Sequence, residues 1–557
     1  MLLAACGGAT PEPGQPEEPV VEEPVVEEPV VEEPMPEFVP TSLAAPNCDY
    51  GGLFEKIEAV DRYTVVFDLC NPFPAFLSTL AFSVFSIYPE EWIAATAGPE
   101  TRTAEGLDAP VGTGPYRVKE WVRGESLILE RNPEYWGEPG IVDTVVFRWS
   151  SEGAARLLEL QSGTVDGIDN PSPDDFAVIK ADSSLQLFER QALNIFYVGI
   201  TNSFPPFDDI RVRQAVGMGI DRQRIVDNFY PPGSSVASHF TPCVIPNACE
   251  GEDWYDFDPA AAKALLADAG YPNGFETTIY YRDVFRSYLP EPGRVAEELQ
   301  AQFAENMGIT ANIVVMESGA FIEASGRGEL DGVHLLGWNA DYPHVTNFLD
   351  FHAGRNVLQF GPPYPEVYEQ LEAGAQIVDE AEAAPIYAAA NDAIKKFVPF
   401  VPIAHGGSGV AYRADVVGGH ASPLGNEYFA VIDPGGRDTF VWMQNAEPIS
   451  LFCADETDGE SLRPCEQITQ ALYSYEVAGT ATEPGLATSC EPNETLDLWT
   501  CVLREGVKFS DGSTFDANDV VATFTMGLDA SSPLHVGNTN IWEYYGYLWG
   551  LMNVPEE

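Results

Sequence analysis

Gly112–Gly137 reads GTGPYRVKEWVRGESLILERNPEYWG. A Gly-Thr-Gly-Pro corner leads into an alternating run from Tyr116 to Val118, and Arg123-Gly124-Glu125 forms a tight turn. Leu127 to Leu129 then alternates again and ends in the aromatic pair Tyr135-Trp136. This pattern predicts a β-hairpin with one apolar face. Trp121, Tyr135 and Trp136 are expected to pack on that hairpin rather than on a ligand.

The surrounding chain has 557 residues, enough for more than one domain core. It carries 28 Lys+Arg against 86 Asp+Glu, a net charge of -58. Such a surface repels nucleic acid and anionic lipid headgroups, which excludes both as partners. Because the acids are spread along the chain, they read first as a solvated surface suited to a secreted protein. No run of 18 apolar residues predicts a membrane-spanning helix.

Leu3-Ala4-Ala5-Cys6 at the start has the form of a lipobox, without a charged segment before it. Cys6 is the expected lipidation site, after a signal remnant at 1–6. Residues 11 to 40 repeat Glu-Glu-Pro-Val-Val, and 7–47 is expected to be an acidic, disordered tether. Thirty such residues in a polyproline II conformation would reach on the order of 90 Å. Of nine cysteines, eight remain beyond Cys6, and they fall in near pairs: Cys48 with Cys70, Cys243 with Cys249, Cys453 with Cys465 and Cys490 with Cys501. Four local disulfides and an oxidising compartment are expected.

Further along, Ile57 to Leu69 reads as a strand pair and Val142 to Arg148 as a strand. A helix from Ala154 is stopped by Gly163 before a strand at 165–169. Asp258-Pro259 starts a helix that Gly270 ends. A helix from Gly293 to Met307 and a strand from Ile309 to Val315 form βαβ-like units.

The hairpin string, FDDIRVRQAVGMGIDRQRIV (207–226) and AAAKALLADAGYPNGF (260–275) closely resemble the extracytoplasmic solute-binding proteins of family 5, the dipeptide/oligopeptide-binding type that feeds ABC importers. The resemblance spans most of residues 50–553. It implies an α/β, two-lobed periplasmic-binding-protein fold (class II, cluster C type) with mixed sheets and a ligand cleft. Lobe I would comprise 48–203 and 398–557, and lobe II 204–397. The order of blocks departs from the family. LREGVKFSDGSTFDANDVVATF (503–524) resembles the beginning of a member, yet lies near the C-terminus. Near Asn553 the family pattern would continue at about Gly51. Circular permutation within lobe I is the reading adopted; a truncated tandem or a break between neighbouring copies is the alternative.

Catalytic patterns are absent: there is no G-x-S-x-G, no H-E-x-x-H and no P-loop, so no enzyme, cofactor or metal is expected. His334, His344 and His352 lack helical ligand spacing. A peptide cleft needs a carboxylate for the ligand's amino terminus, because a charge-assisted bond is among the strongest single contacts available. In peptide-binding relatives this is the Asp of a W..D loop. The resemblance puts Asp341 there, with Trp338, Asn339 and Tyr342 beside it, and Asn445 and Glu447 across the cleft. The expected function is a monomeric, lipid-anchored extracytoplasmic binder that delivers an oligopeptide to importer permeases. The same fold binding oligosaccharide or another solute is the alternative, and an extracellular hydrolase or adhesin is the outside reading.

Overall fold

Strands Tyr116–Val122 and Ser126–Arg131 pair antiparallel as the hairpin pattern predicts, and bury Tyr116, Leu127 and Leu129 on one face. They form one edge of a seven-stranded sheet in a computed structural model that describes residues 37–98, 107–539 and 541–555. The sheet continues through Thr144–Trp149, Thr439–Gln444, Gly167–Asp169, Ser408–Arg413 and Leu185–Arg190. The strand at Thr439–Gln444 runs parallel to both of its neighbours, while the outer pairs are antiparallel.

A second sheet of six strands orders Ser235–Val236, Phe400–His405, Asn194–Ile200, Val333–Asn339, Glu276–Arg282 and Thr310–Met316. All seven residues of Asn194–Ile200 are buried, as befits a strand covered on both faces. The Glu276–Arg282 and Thr310–Met316 strands are parallel, and helix Pro292–Gln302 lies between them in sequence. Asp258 caps helix Pro259–Asp268 by accepting from the backbone N–H groups of Ala260 and Ala261. A third, antiparallel sheet of five strands runs Ser42–Ala44, Phe54–Asp61, Thr64–Leu69, Leu498–Leu503 and Ala487–Pro492. The tether expected over 7–47 is therefore too long at its C-terminal end. Leu43 is buried against this sheet, and pairing with Lys56–Glu58 satisfies the backbone there. Cys6 and residues 7–36 lie outside the described residues.

The chain crosses between the seven- and six-stranded sheets twice, at 191–193 and at Gly406-Gly407. Asn194 clamps the two crossings together. Its Nδ2 donates to the Gly406 carbonyl (2.6 Å), and its Oδ1 accepts from the Gly406 N–H (2.7 Å). Glycine is required at 406, because a Cβ there would lie 2.3 Å from the Ser287 carbonyl oxygen.

The last third of the chain completes sheets that the first third begins. Leu498–Leu503 pairs with Thr64–Leu69, and the Leu53 N–H donates to the Trp549 carbonyl at 2.6 Å. Gly550, at φ +77°, meets Gly52 so closely that a Cβ would lie 2.6 Å from the Gly52 Cα. The four disulfides join Cys48–Cys70, Cys243–Cys249, Cys453–Cys465 and Cys490–Cys501, the expected pairs.

Beside the first crossing four charged side chains are buried together. Arg190 donates to Glu427 (2.5 Å) and Asp169 (3.2 Å), while Arg463 donates to Asp169 (2.8 Å) and Glu427 (3.0 Å). The guanidinium groups hold Asp169 below the usual carboxylate range against the effect of its burial. Removing one partner leaves an uncompensated charge in a poorly solvated site, which costs about 3–5 kcal/mol. Arg463→Met is expected to lose about that much stability in urea unfolding. A loss under 1 kcal/mol would show that the quartet is not holding these segments.

Candidate functional site

Strand Val333–Asn339 ends at the Trp338–Tyr342 loop, and helix Thr346–Ala353 follows it. Asn347, at the start of that helix, organises the loop. Its Oδ1 accepts from the Asp341 N–H (3.0 Å) and from Trp338 Nε1 (3.2 Å), and its Nδ2 donates to Asp341 Oδ2 (2.9 Å). The carboxylate is thus oriented by a neutral amide. Its other oxygen, Oδ1, accepts from the Tyr544 hydroxyl at 2.8 Å.

Burial pushes the Asp341 carboxyl up to about 7. The hydrogen bonds from Asn347 and Tyr544 oppose that rise, and the nearby charge of Glu543 adds to it. Ionisation here is costly unless a cation arrives. Further acids face the same region. Asp458 is pushed up to about 7 by burial and then by Glu460, and Glu466 to about 7 by burial. Burial also raises Glu543. Tyr475 lies within electrostatic reach of Tyr342, Asp341 and Glu466, and Tyr544 within reach of Asp341, Glu543 and Asp458. Arg286 brings a positive charge, 3.4 Å from Glu460 Oε1. The adjacent Ser287 hydroxyl donates to Asn339 Oδ1 (2.7 Å), which ties the Arg286 loop to the Asp341 loop.

The six expected site residues divide into three groups. Trp338, Asn339 and Asp341 share one loop: Asn339 is exposed, Asp341 is half-buried, and the Trp338 ring packs on Phe351 at 4.3 Å between centroids. Tyr342 is buried beneath that loop with its hydroxyl on Thr346, so its ring belongs to the packing. Asn445 and Glu447 are not joined to the loop by any hydrogen bond among the described residues. Glu447 instead accepts from Trp121 Nε1 (3.1 Å) and from the Gly124 N–H (3.1 Å), clamping the tip of the hairpin. Asn445 is buried, and its Oδ1 has no hydrogen-bond partner among the described residues. Trp136 Nε1 donates to Gln470 and the Tyr135 hydroxyl meets that of Tyr428.

Three residues that meet at this site were not singled out by sequence: Asn347, Arg286 and Tyr544. Asn347 stands six residues after Asp341 and had a local signal. Tyr544 lies 203 residues away and had none. His334, His344 and His352 keep separate partners in Gln359, Thr346 and Phe348. Among the described residues the His/Cys/Asp/Glu group with metal-like spacing is His239, Cys243 and Cys249, whose two cysteines form a disulfide.

Two sheets joined by two crossings, with an oriented carboxylate where they meet, are the architecture of a two-lobed binding protein. The chain belongs to the bacterial extracellular solute-binding proteins, family 5, whose middle region matches residues 39–357 and 481–540. It is 30% identical to the heme-binding protein A of Haemophilus influenzae over 393 residues, covering 69% of this chain and 71% of that protein. It is also 30% identical to the dipeptide-binding protein of Escherichia coli over 383 residues, covering 68% and 71%. Among solved structures, the dipeptide-binding protein of Pseudoalteromonas sp. SM9913 in complex with Met-Leu aligns with a TM-score of 0.63 at 28% identity, covering 69% of this chain and 76% of that one. The location is extracytoplasmic, and no helix among the described residues is long and apolar enough to cross a membrane.

The folded-state pKa of Asp341 lies above its ordinary 3.8. The folded chain therefore holds a proton between pH 4 and 7 that the unfolded chain has released, and stability is lost as pH rises through that window. Asp341→Asn removes the effect. Its stability relative to the parent, read by urea unfolding at each pH, is expected to rise from pH 4 to 7 by no more than about 4 kcal/mol and to level off above. An advantage independent of pH would contradict the assignment.

Proposed function

We propose that this protein captures a short peptide by its terminal ammonium on Asp341 and delivers it to the permease of an ABC importer. The observation that carries this reading is the Asp341 carboxylate. Its two oxygens accept from neutral donors, and burial makes its ionisation depend on a cation. A ligand ammonium supplies that charge through a charge-assisted hydrogen bond. Where they are ionised, the nearby Asp458, Glu466 and Glu543 repel anions and favour a cationic group. The dipeptide and oligopeptide complexes of similar proteins support a peptide over other solutes.

Three further readings belong with it. The lipobox at Leu3–Cys6 supports a lipid anchor through Cys6. The sheet crossings support lobe boundaries at 191–193 and 406–407, about ten residues outside the 204 and 397 read from sequence. The approach of Gly550 to Gly52 supports circular permutation, since the family's joint falls where those residues meet.

Isothermal titration with Met-Leu tests the main reading. The parent chain is expected to bind, and Asp341→Asn to bind roughly 10–100-fold more weakly, the worth of one hydrogen bond to a charged group. Affinity is expected to fall below neutral pH as Asp341 takes up a proton. Equal binding by both chains would reject Asp341 as the anchor. For the permutation, a re-ordered gene placing residues 437–553 directly before Gly51 is expected to give a chain with the far-ultraviolet spectrum and melting temperature of the parent trimmed to 51–557, which likewise lacks Cys48 and the Ser42–Ala44 strand. Failure of that chain to fold would reject it.

A further inference from the structure

We propose that the two lobes are latched across their cleft by two pairs the chain makes with itself, Tyr544 with Asp341 and Glu460 with Arg286. A ligand on Asp341 therefore enters in competition with Tyr544. The competition rests on the peptide reading above; the latch does not.

Each pair joins one lobe to the other. Asp341 and Arg286 follow strands Val333–Asn339 and Glu276–Arg282 of the six-stranded sheet. Glu460 opens helix Gly459–Ile468, which packs on the signature hairpin of the seven-stranded sheet. Tyr544 belongs to the aromatic cluster beside the five-stranded sheet. There its ring meets Phe82 edge-on at 4.9 Å, and its neighbour Tyr545 meets Phe85 at 5.0 Å.

The chemistry suits a releasable contact. Burial and the nearby acids hold the Tyr544 phenol well above its ordinary pKa, so it stays a donor at any working pH. Its bond to Asp341 Oδ1 is a neutral phenol on a carboxylate, and a ligand ammonium can replace it with a bond in which both partners are charged. On the second pair, Arg286 Nη1 sits 3.4 Å from Glu460 Oε1, a longer contact than those of the buried quartet, and Arg286 also donates to the Phe285 carbonyl. The Tyr547 ring, three residues after Tyr544, adds an apolar touch on Phe351 at 5.0 Å. The latch loop also bears on the hinge, since the carbonyl of Ser287 covers Gly406. Opening the Arg286 contact and bending the crossing are thereby mechanically linked.

Two contacts acting together shift a closed–open equilibrium, and removing them shifts it back. Small-angle X-ray scattering of the full chain reads this directly. The parent is expected to have the same radius of gyration with and without Met-Leu. Tyr544→Phe combined with Glu460→Gln is expected to give a larger radius, which contracts to the parent value on adding Met-Leu. As a second measurement, Glu460→Arg is expected to open the chain, and Arg286→Glu in the same chain to close it again. An unchanged radius in the double variant, or a parent that itself contracts with Met-Leu, overturns the latch. Should Met-Leu bind neither chain, the peptide reading fails, while the comparison of parent and variants without it still decides the latch.

Discussion

The quartet Asp169, Arg190, Glu427 and Arg463 is the constraint on which the rest of the molecule depends. Its members come from a short central strand, the last strand before the first crossing, a loop and a helix of the last third of the chain. Two guanidinium groups alternate with two carboxylates, so every buried charge has an opposite on two sides. Dry salt bridges add little net stability, because desolvation offsets attraction. They do make alternatives expensive. A register slip in any of the four segments would strand a charge, so the quartet holds the seven-stranded sheet and the hinge beside it in one arrangement.

From that fixed lobe the cleft acquires its geometry. Asn194 couples the two crossings through a paired hydrogen bond on Gly406, so the lobes move about a narrow line rather than independently. On the far side, Asn347 orients Asp341 without neutralising it. The design keeps a carboxylate available for a cation while the loop around it is rigid. Burial and surrounding acids then make that carboxylate's charge conditional on a partner.

Much of this was legible in order along the chain. The hairpin, the Asp258-Pro259 helix start and the Gly163 stop rest on interactions within a few residues, and they formed where periodicity and capping chemistry place them. The disulfides joined cysteines no more than 22 residues apart, which is why near pairing read them correctly. The 42–44 segment misled because an edge strand of three residues carries almost no periodic signal, and its partner strand supplies the reason to be extended. The contacts of Glu447 were not legible for a related reason. Its partners, Trp121 and Gly124, lie more than 320 residues earlier, and no spacing rule spans that distance.

The sequence by itself determined the family, the extracytoplasmic class and the loop that carries Asp341, because each is written in contiguous residues whose local chemistry is self-sufficient. Only the tertiary structure decided what stands opposite. It brought Tyr544 onto Asp341, set Glu460 against Arg286 and turned Glu447 to the hairpin. The physical reason is that a cleft is made of two surfaces from distant parts of the chain, and their pairing follows from sheet packing and from where the crossings fall.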